Sequence, residues 1–432
     1  MNPFLETILV LAYTLLFIYS INKHSFFIKS GIEPLWLTGL FLLKIGVGVL
    51  LYLIYTKFYA VRSDADIFKY FDDSQVIYNS LWSNPLEYFR LVFTSPPENQ
   101  YYHDNYYNVM DYWANKHNSF FYGDSKLMIK VNAFFRLFSF GSFHVHSVFF
   151  NFLSFIGLVS MYRASKKLFS SHYYYLILVV FCLPSVLFWS SSVLKESLLV
   201  LFLGILVFNL QKLSSLKYKE MFFVVLALLF LSLLKFYIVI ALLFPLIAYV
   251  LTCYFRKTKP FIIYSIVLIL FIVFVFGSGF FMPTSLVDIL VLKQSDFLNL
   301  NTNAGSFYKI PLLEPSFSSV LKSVPLGILN SFIRPLPSSS ISIMAIPAIF
   351  ENILILLALF ASFLSMFSTS SWKSRSNNNW LMFQICFTLV LFALIGMTTP
   401  VAGALVRYKV AALPFLGVML YYFIYKRFLE KD

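Results

Sequence analysis

Apolar runs long enough to be helices recur along the chain, and short polar stretches separate most of them. A helix needs about 20 apolar residues to cross a hydrocarbon core of about 30 Å. Eleven windows meet that demand, near residues 4–22, 35–56, 146–162, 173–191, 194–211, 221–235, 237–255, 260–280, 346–367, 380–398 and 410–425. They predict an all-α, polytopic integral membrane protein whose residues 1–432 form one membrane domain. The first window has no basic stretch ahead of it and no small-residue cleavage site behind it, so it reads as a helix and not as a cleaved signal peptide. Two intervening segments, 57–145 and 281–345, are far longer than a helix hairpin requires. No internal repeat, heptad pattern or low-complexity tract is present, although Pro335 to Ser342 is turn-like.

The short loops alternate in charge. One set carries Lys23 and Lys29; Arg163, Lys166 and Lys167; Lys212, Lys217 and Lys219; Arg256, Lys257 and Lys259; Lys373 and Arg375; and Lys426, Arg427 and Lys431. The same side holds only Glu33, Glu220, Glu430 and Asp432. The positive-inside rule makes this face cytoplasmic, with the N-terminus outside and the C-terminus inside. Both long segments are then extracytoplasmic, which is where function is usually built on a helical bundle.

Composition sharpens this picture. Hydrophobic residues make up 59% of the 432 and charged residues only 12%, against roughly 25% charged in soluble chains. The net charge of +14 would suggest nucleic acid in a soluble protein. Here the cytoplasmic loops take up about half of the basic residues, so no nucleic-acid partner is expected. Cys182, Cys253 and Cys386 all lie inside apolar runs, with neither a disulfide framework nor metal-ligand spacing. The many Phe and Tyr residues suit lipid-facing surfaces and interfacial belts.

Three constellations could carry chemistry. Asp64, Asp66, Asp72 and Asp73 cluster just after the second window leaves the membrane. In a helix Asp66, Tyr70 and Asp73 share a face, and Asp64 is placed to cap its start. An extracytoplasmic carboxylate at that boundary can act as general base on a hydroxyl acceptor; a solvated, capped helix start would use the same residues. Asp64-Ala-Asp66 also spells the D-x-D of nucleotide-sugar enzymes, but nucleotide sugars are not expected outside the cell. A hard divalent cation there has no further support in the pattern. The second constellation is Pro184 to Ser197, with Lys195 and Glu196 at a helix boundary. Charges at membrane depth are functional candidates by default, although snorkelling by Lys195 and capping by Glu196 would also account for them. The third is basic: Lys235, Arg334, and Arg407 with Lys409, on the side where charge bias disfavours them. Arginine's fork suits a phosphate and lysine adds a compact charge; headgroup anchoring is the alternative. No histidine spacing suits a metal and no Gly-rich phosphate loop occurs, so no cofactor and no metal site are expected.

A many-helix membrane chain with an early extracytoplasmic segment opening on Asp residues, and later outer segments with isolated Arg and Lys, resembles the GT-C class of glycosyltransferases. The stretches Pro-Ser-x-x-Phe-Trp-Ser-Ser-x-x-Leu-Lys-Glu at 184–196, Arg-Pro-x-Pro at 334–337 and Arg-Tyr-Lys at 407–409 are also similar to bacterial envelope membrane proteins grouped loosely with that class. In GT-C enzymes the Asp-bearing loop usually follows the first helix, whereas here it follows the second. The resemblance implies an enzyme of the bacterial inner membrane that moves a sugar from a polyprenyl-phosphate carrier to a glycan, lipid or protein acceptor. Asp64 or Asp66 would be the base, and Asp73, Lys195, Glu196, Arg334, Arg407 and Lys409 would hold substrate. Membrane lipids would be the remaining partners. A polysaccharide polymerase or a lipid-linked sugar flippase are the rival readings.

Overall fold

The computed structural model describes residues 2–58, 61–113, 124–170, 174–212, 218–301, 306–336, 345–366 and 375–428. The side chains of Asp64 and Arg375, together with Lys217, Lys373, Glu430, Lys431, Asp432 and residues 337–342, lie outside the described set.

The described residues are helical, with an isolated bridge between Phe307 and Val401 and no strand. Helices α1 (Pro3–Lys23), the one-turn α2 (Ser25–Ile28) and α3 (Pro34–Phe58) open the chain. A 3-10 turn at Arg62–Asp64 leads into α4 (Asp66–Ser83), α5 (Pro85–Phe93), the short α6 (Gln100–Tyr102) and α7 (Asp124–Ser139). Next come α8 (Phe143–Lys166), α9 (Tyr175–Phe181), α10 (Pro184–Trp189), α11 (Lys195–Leu210) and α12 (Tyr218–Leu234). The chain continues with α13 (Phe236–Tyr254), α14 (Pro260–Gly277), α15 (Leu286–Asn301), α16 (Phe317–Ile333), α17 (Ile346–Met366), α18 (Arg375–Thr398), α19 (Ala402–Lys409) and α20 (Leu413–Phe428).

Among the described residues, seven helices are long and apolar enough to cross a membrane: α1, α3, α8, α13, α14, α17 and α18. The pair α19 and α20, bent by 67°, makes an eighth if it is one broken span. The protein is therefore a multi-pass, all-α membrane protein. Exposed Leu11 and Leu15 on α1, Ile269 and Val273 on α14, and Leu357 and Phe360 on α17 form the kind of surface that lipid solvates.

The other three apolar runs form shorter helices. The run 173–191 breaks at Cys182 and Leu183, because Pro184 lacks an N–H and disfavours helical geometry in the residue before it. The runs 194–211 and 221–235 become α11 (16 residues) and α12 (17 residues), which pack together with Phe202 stacked on Phe230 at 4.5 Å.

The segment 57–145, expected as a loop, is largely helical. Amphipathic α4, α5 and α7 bury Phe68, Ile77, Leu91, Met128 and Ala133 in one core. The segment 281–345 likewise contains α15 and α16.

The chain divides into two compact units. The first comprises Met1–Arg163, Leu187–Leu210 and Tyr218–Phe236; the second holds the described residues of Ala164–Val186 and of Tyr237–Asp432. In the first unit Gly157 of α8 meets Gly204 of α11 so closely that a Cβ on either would strike the other's backbone. In the second, Gly327 of α16 and Gly396 of α18 make the same kind of contact. Such small-residue crossings let backbones approach where apolar burial gives no driving force.

Candidate functional site

The acidic cluster lies in the first unit, and its carboxylates have separate partners. Helix α4 begins at Asp66 and its N-cap is Ala65; the expected capping by Asp64 falls on a side chain outside the described residues. Asp72 takes a two-pronged contact from Arg62, at 2.8 and 2.9 Å. Both side chains are about half exposed, and such pairs contribute little. Asp73 is buried and accepts the backbone N–H groups of Asp111 and Tyr112 at 3.1 and 2.8 Å. It thereby holds a chain segment about 40 residues away against α4.

Asp66 is half-buried and pairs with Lys69 at 2.9 Å, one turn along the helix. Burial pulls the Lys69 ammonium down, but attraction to Asp66 outweighs it and holds the group above its ordinary range. Lys69 also lies 5.1 Å from the Tyr112 ring, whose hydroxyl donates to the Ser63 carbonyl at 2.7 Å.

The helical spacing places Tyr70 one turn after Asp66 on the buried face of α4, and the Lys195 ammonium lies 4.6 Å over the Tyr70 ring. Lys195 is only 8% exposed, so it does not snorkel into water. Glu196 is 1% exposed and pairs with Lys235 at 2.6 Å. Lys235, placed with the basic set in the sequence reading, is thus the counter-ion of Glu196. The structure thus sets Lys195 over Tyr70, one turn along α4 from Asp66, and pairs the neighbouring Glu196 with Lys235.

Sequence reasoning missed a cation on α3. Lys44 lies midway along α3 and is buried. Its ammonium donates to the Ser190 carbonyl at 2.9 Å, the Ser190 hydroxyl at 2.8 Å and the Ser191 hydroxyl at 3.1 Å. Residues 190–194 form the non-helical stretch between α10 and α11. These residues are buried, so their backbone groups need partners within the protein. Lys44, Asn151 at 3.0 Å and Ser154 at 2.8 Å provide them. A single lysine inside an apolar window was the signal that could have found Lys44. Arg136 of α7 was also missed. It is buried against Phe71 and donates to the Ser74 hydroxyl, the Gln75 amide and the Phe71 carbonyl. Burial lowers its pKa to about 10.

The second unit holds the basic set. Arg334 closes α16, with its guanidinium 3.8 Å over the Tyr308 ring. Lys409 is 1% exposed and donates to the Arg334 carbonyl at 2.9 Å and to Asn352 at 2.8 Å. Arg407 is half-buried, two residues earlier in the last turn of α19. Cations in that position are favoured by the helix dipole. Glu351, beside Asn352, accepts the Ser185 N–H at 2.8 Å at the start of α10. The tertiary fold therefore joins Arg334 to Lys409 through a backbone carbonyl, which the sequence did not indicate. Among the described residues no three His, Cys, Asp or Glu side chains gather to hold a metal ion.

Burial raises the Asp73 pKa to about 6 from the ordinary 3.8, against the lowering effect of its two amide contacts. A raised carboxylate pKa contributes stability that is fully present below the unfolded value and is lost as pH rises through the folded one. Relative to Asp73→Asn, which has no proton to lose, the wild-type unfolding temperature is therefore expected to fall between about pH 4 and about pH 7. Parallel pH profiles for the two proteins would show that burial does not control this carboxylate.

No protein-family model, no curated protein and no solved structure matches the chain.

Proposed function

We propose that the chain is a membrane glycosyltransferase of GT-C-like architecture. It moves a sugar from a polyprenyl-phosphate carrier to a cell-envelope glycan, lipid or protein acceptor on the extracytoplasmic face of a bacterial inner membrane. The observation that carries this reading is the half-buried Asp66–Lys69 pair just beyond the end of α3, one turn from Tyr70, whose ring carries the buried Lys195 ammonium. In the proposed step Asp66, or Asp64, takes the proton of an acceptor hydroxyl. The hydroxyl oxygen bonds to the anomeric carbon as the bond from that carbon to the lipid phosphate breaks, and the electron pair leaves with the phosphate. Arg334 and Arg407 bind the phosphate where negative charge develops, and Lys409 fixes the Arg334 backbone. No cofactor takes part. The proposal includes eleven crossings, with the three shorter runs completing the set, and an N-terminus outside.

A lipid-linked sugar transporter is the second reading. The buried Lys44 of α3, bonded to the helix break at 190–194, favours it, since interrupted helices at charged sites are a feature of transporters.

The test is reconstitution of the purified chain in vesicles with a polyprenyl-phosphate sugar and a hydroxyl acceptor. Formation of a new glycoside supports the transferase, and translocation of intact donor supports the transporter. Arg407→Lys is expected to insert normally yet lose on the order of tenfold or more in transfer, because a point charge cannot reproduce a two-pronged contact. Unchanged transfer would return Arg407 to headgroup anchoring.

A further inference from the structure

A second polar site lies in the first unit, apart from Asp66. A cavity of about 270 Å³ is lined by Glu98, Tyr107, Trp113, Lys126 and Lys130, with Ser95, Pro96, Leu127 and Leu233 completing the wall. This lies just under the range of about 300–1,000 Å³ common for drug-sized ligands, so the cavity suits one small polar unit and not a long chain.

Its wall is rigid. Trp113 stacks on Tyr107 at 5.0 Å and Tyr107 on Tyr102 at 5.8 Å. Its chemistry is rich in donors. The ammonium groups of Lys126 and Lys130 lie 5.5 and 5.8 Å from the Trp113 ring centre. Lys126 pairs with Glu98 at 3.1 Å, and Lys130 donates to the Thr94 carbonyl. The formal charge of this lining is therefore positive. The Trp113 indole N–H is buried and has no acceptor among the described residues. Burial, and then the neighbouring Lys126, hold the Lys130 ammonium below its ordinary range. A bound anion would offset the repulsion between the two ammonium groups.

We propose that this cavity is a binding subsite for an anionic sugar, a pyranose carrying a carboxylate or a phosphate. Lys126 and Lys130 face the charge, and Glu98 accepts from a hydroxyl. The subsite names the class of acceptor glycan, a role that rests on the transferase reading; binding itself does not.

The test is therefore binding by the full chain in detergent, read by titration calorimetry with no donor present. The probes are tri-galacturonic acid, glucose 6-phosphate, neutral maltotriose and inorganic phosphate. One of the two charged sugars is expected to bind at least about tenfold more tightly than maltotriose, and which one does so identifies the anionic group. Lys130→Ala is expected to weaken it by about tenfold. Glu98→Gln, at an exposed side chain that leaves folding intact, is expected to weaken the sugars but not inorganic phosphate. No binding of either charged sugar, equal binding of maltotriose, or phosphate bound as tightly as the charged sugars would overturn the proposal. So would unchanged affinity in a folded Lys130→Ala protein.

Discussion

Replacing Asp66 by Asn is expected to lower glycosyl transfer by about 10²- to 10⁴-fold, the usual cost of removing a general base. The change keeps the size of the side chain and its place in the first turn of α4. It removes the ion pair with Lys69, but both partners are partly exposed, at 34% and 21%, so little stability should be lost. The expected signature is a normally inserted protein with an unchanged unfolding temperature and a large loss in turnover. Asp64→Asn measured alongside separates the two candidate bases. Wild-type transfer in both variants would remove the carboxylate assignment.

The largest expected effect on stability is at Glu196. Its carboxylate and the Lys235 ammonium are paired at 2.6 Å, with only 1% and 9% of the side chains exposed. Taking away one member leaves the other charged and buried, which typically costs about 3–5 kcal/mol. Glu196→Ala is therefore expected to lower the unfolding temperature strongly in detergent. Glu196→Leu combined with Lys235→Met removes both charges, and most of the stability is expected to return. If Glu196→Ala unfolds at the wild-type temperature, water reaches the pair and the burial argument fails. If the double variant is stable but inactive in transfer, the charges serve the reaction.

Some of the candidate site was legible because its signals are local. Asp66 opening a helix and Tyr70 and Asp73 falling on its buried face follow from the i, i+4, i+7 spacing. Asp73 could not be assigned from spacing, since its partners are backbone amides at 111 and 112. Lys195 and Glu196 were visible as charges in an apolar setting. That one lies over an aromatic ring and the other meets Lys235 was not.

By itself the sequence determined that this is an all-α protein of several membrane crossings. Transfer of an apolar helix into lipid depends almost entirely on the residues of that helix, so hydropathy along the chain suffices. It also marked where carboxylates gather at the end of α3. Only the tertiary structure decided which charges find partners and how the second break, at 190–194, is held. Helix α10 ends at Trp189 and α11 starts at Lys195 because buried groups take over the backbone contacts between them. The chief of these, Lys44, comes from 146 residues earlier in the chain. In a low-dielectric interior a charge is tolerable only beside its partner, and which partner it meets depends on contacts between helices that no local pattern encodes.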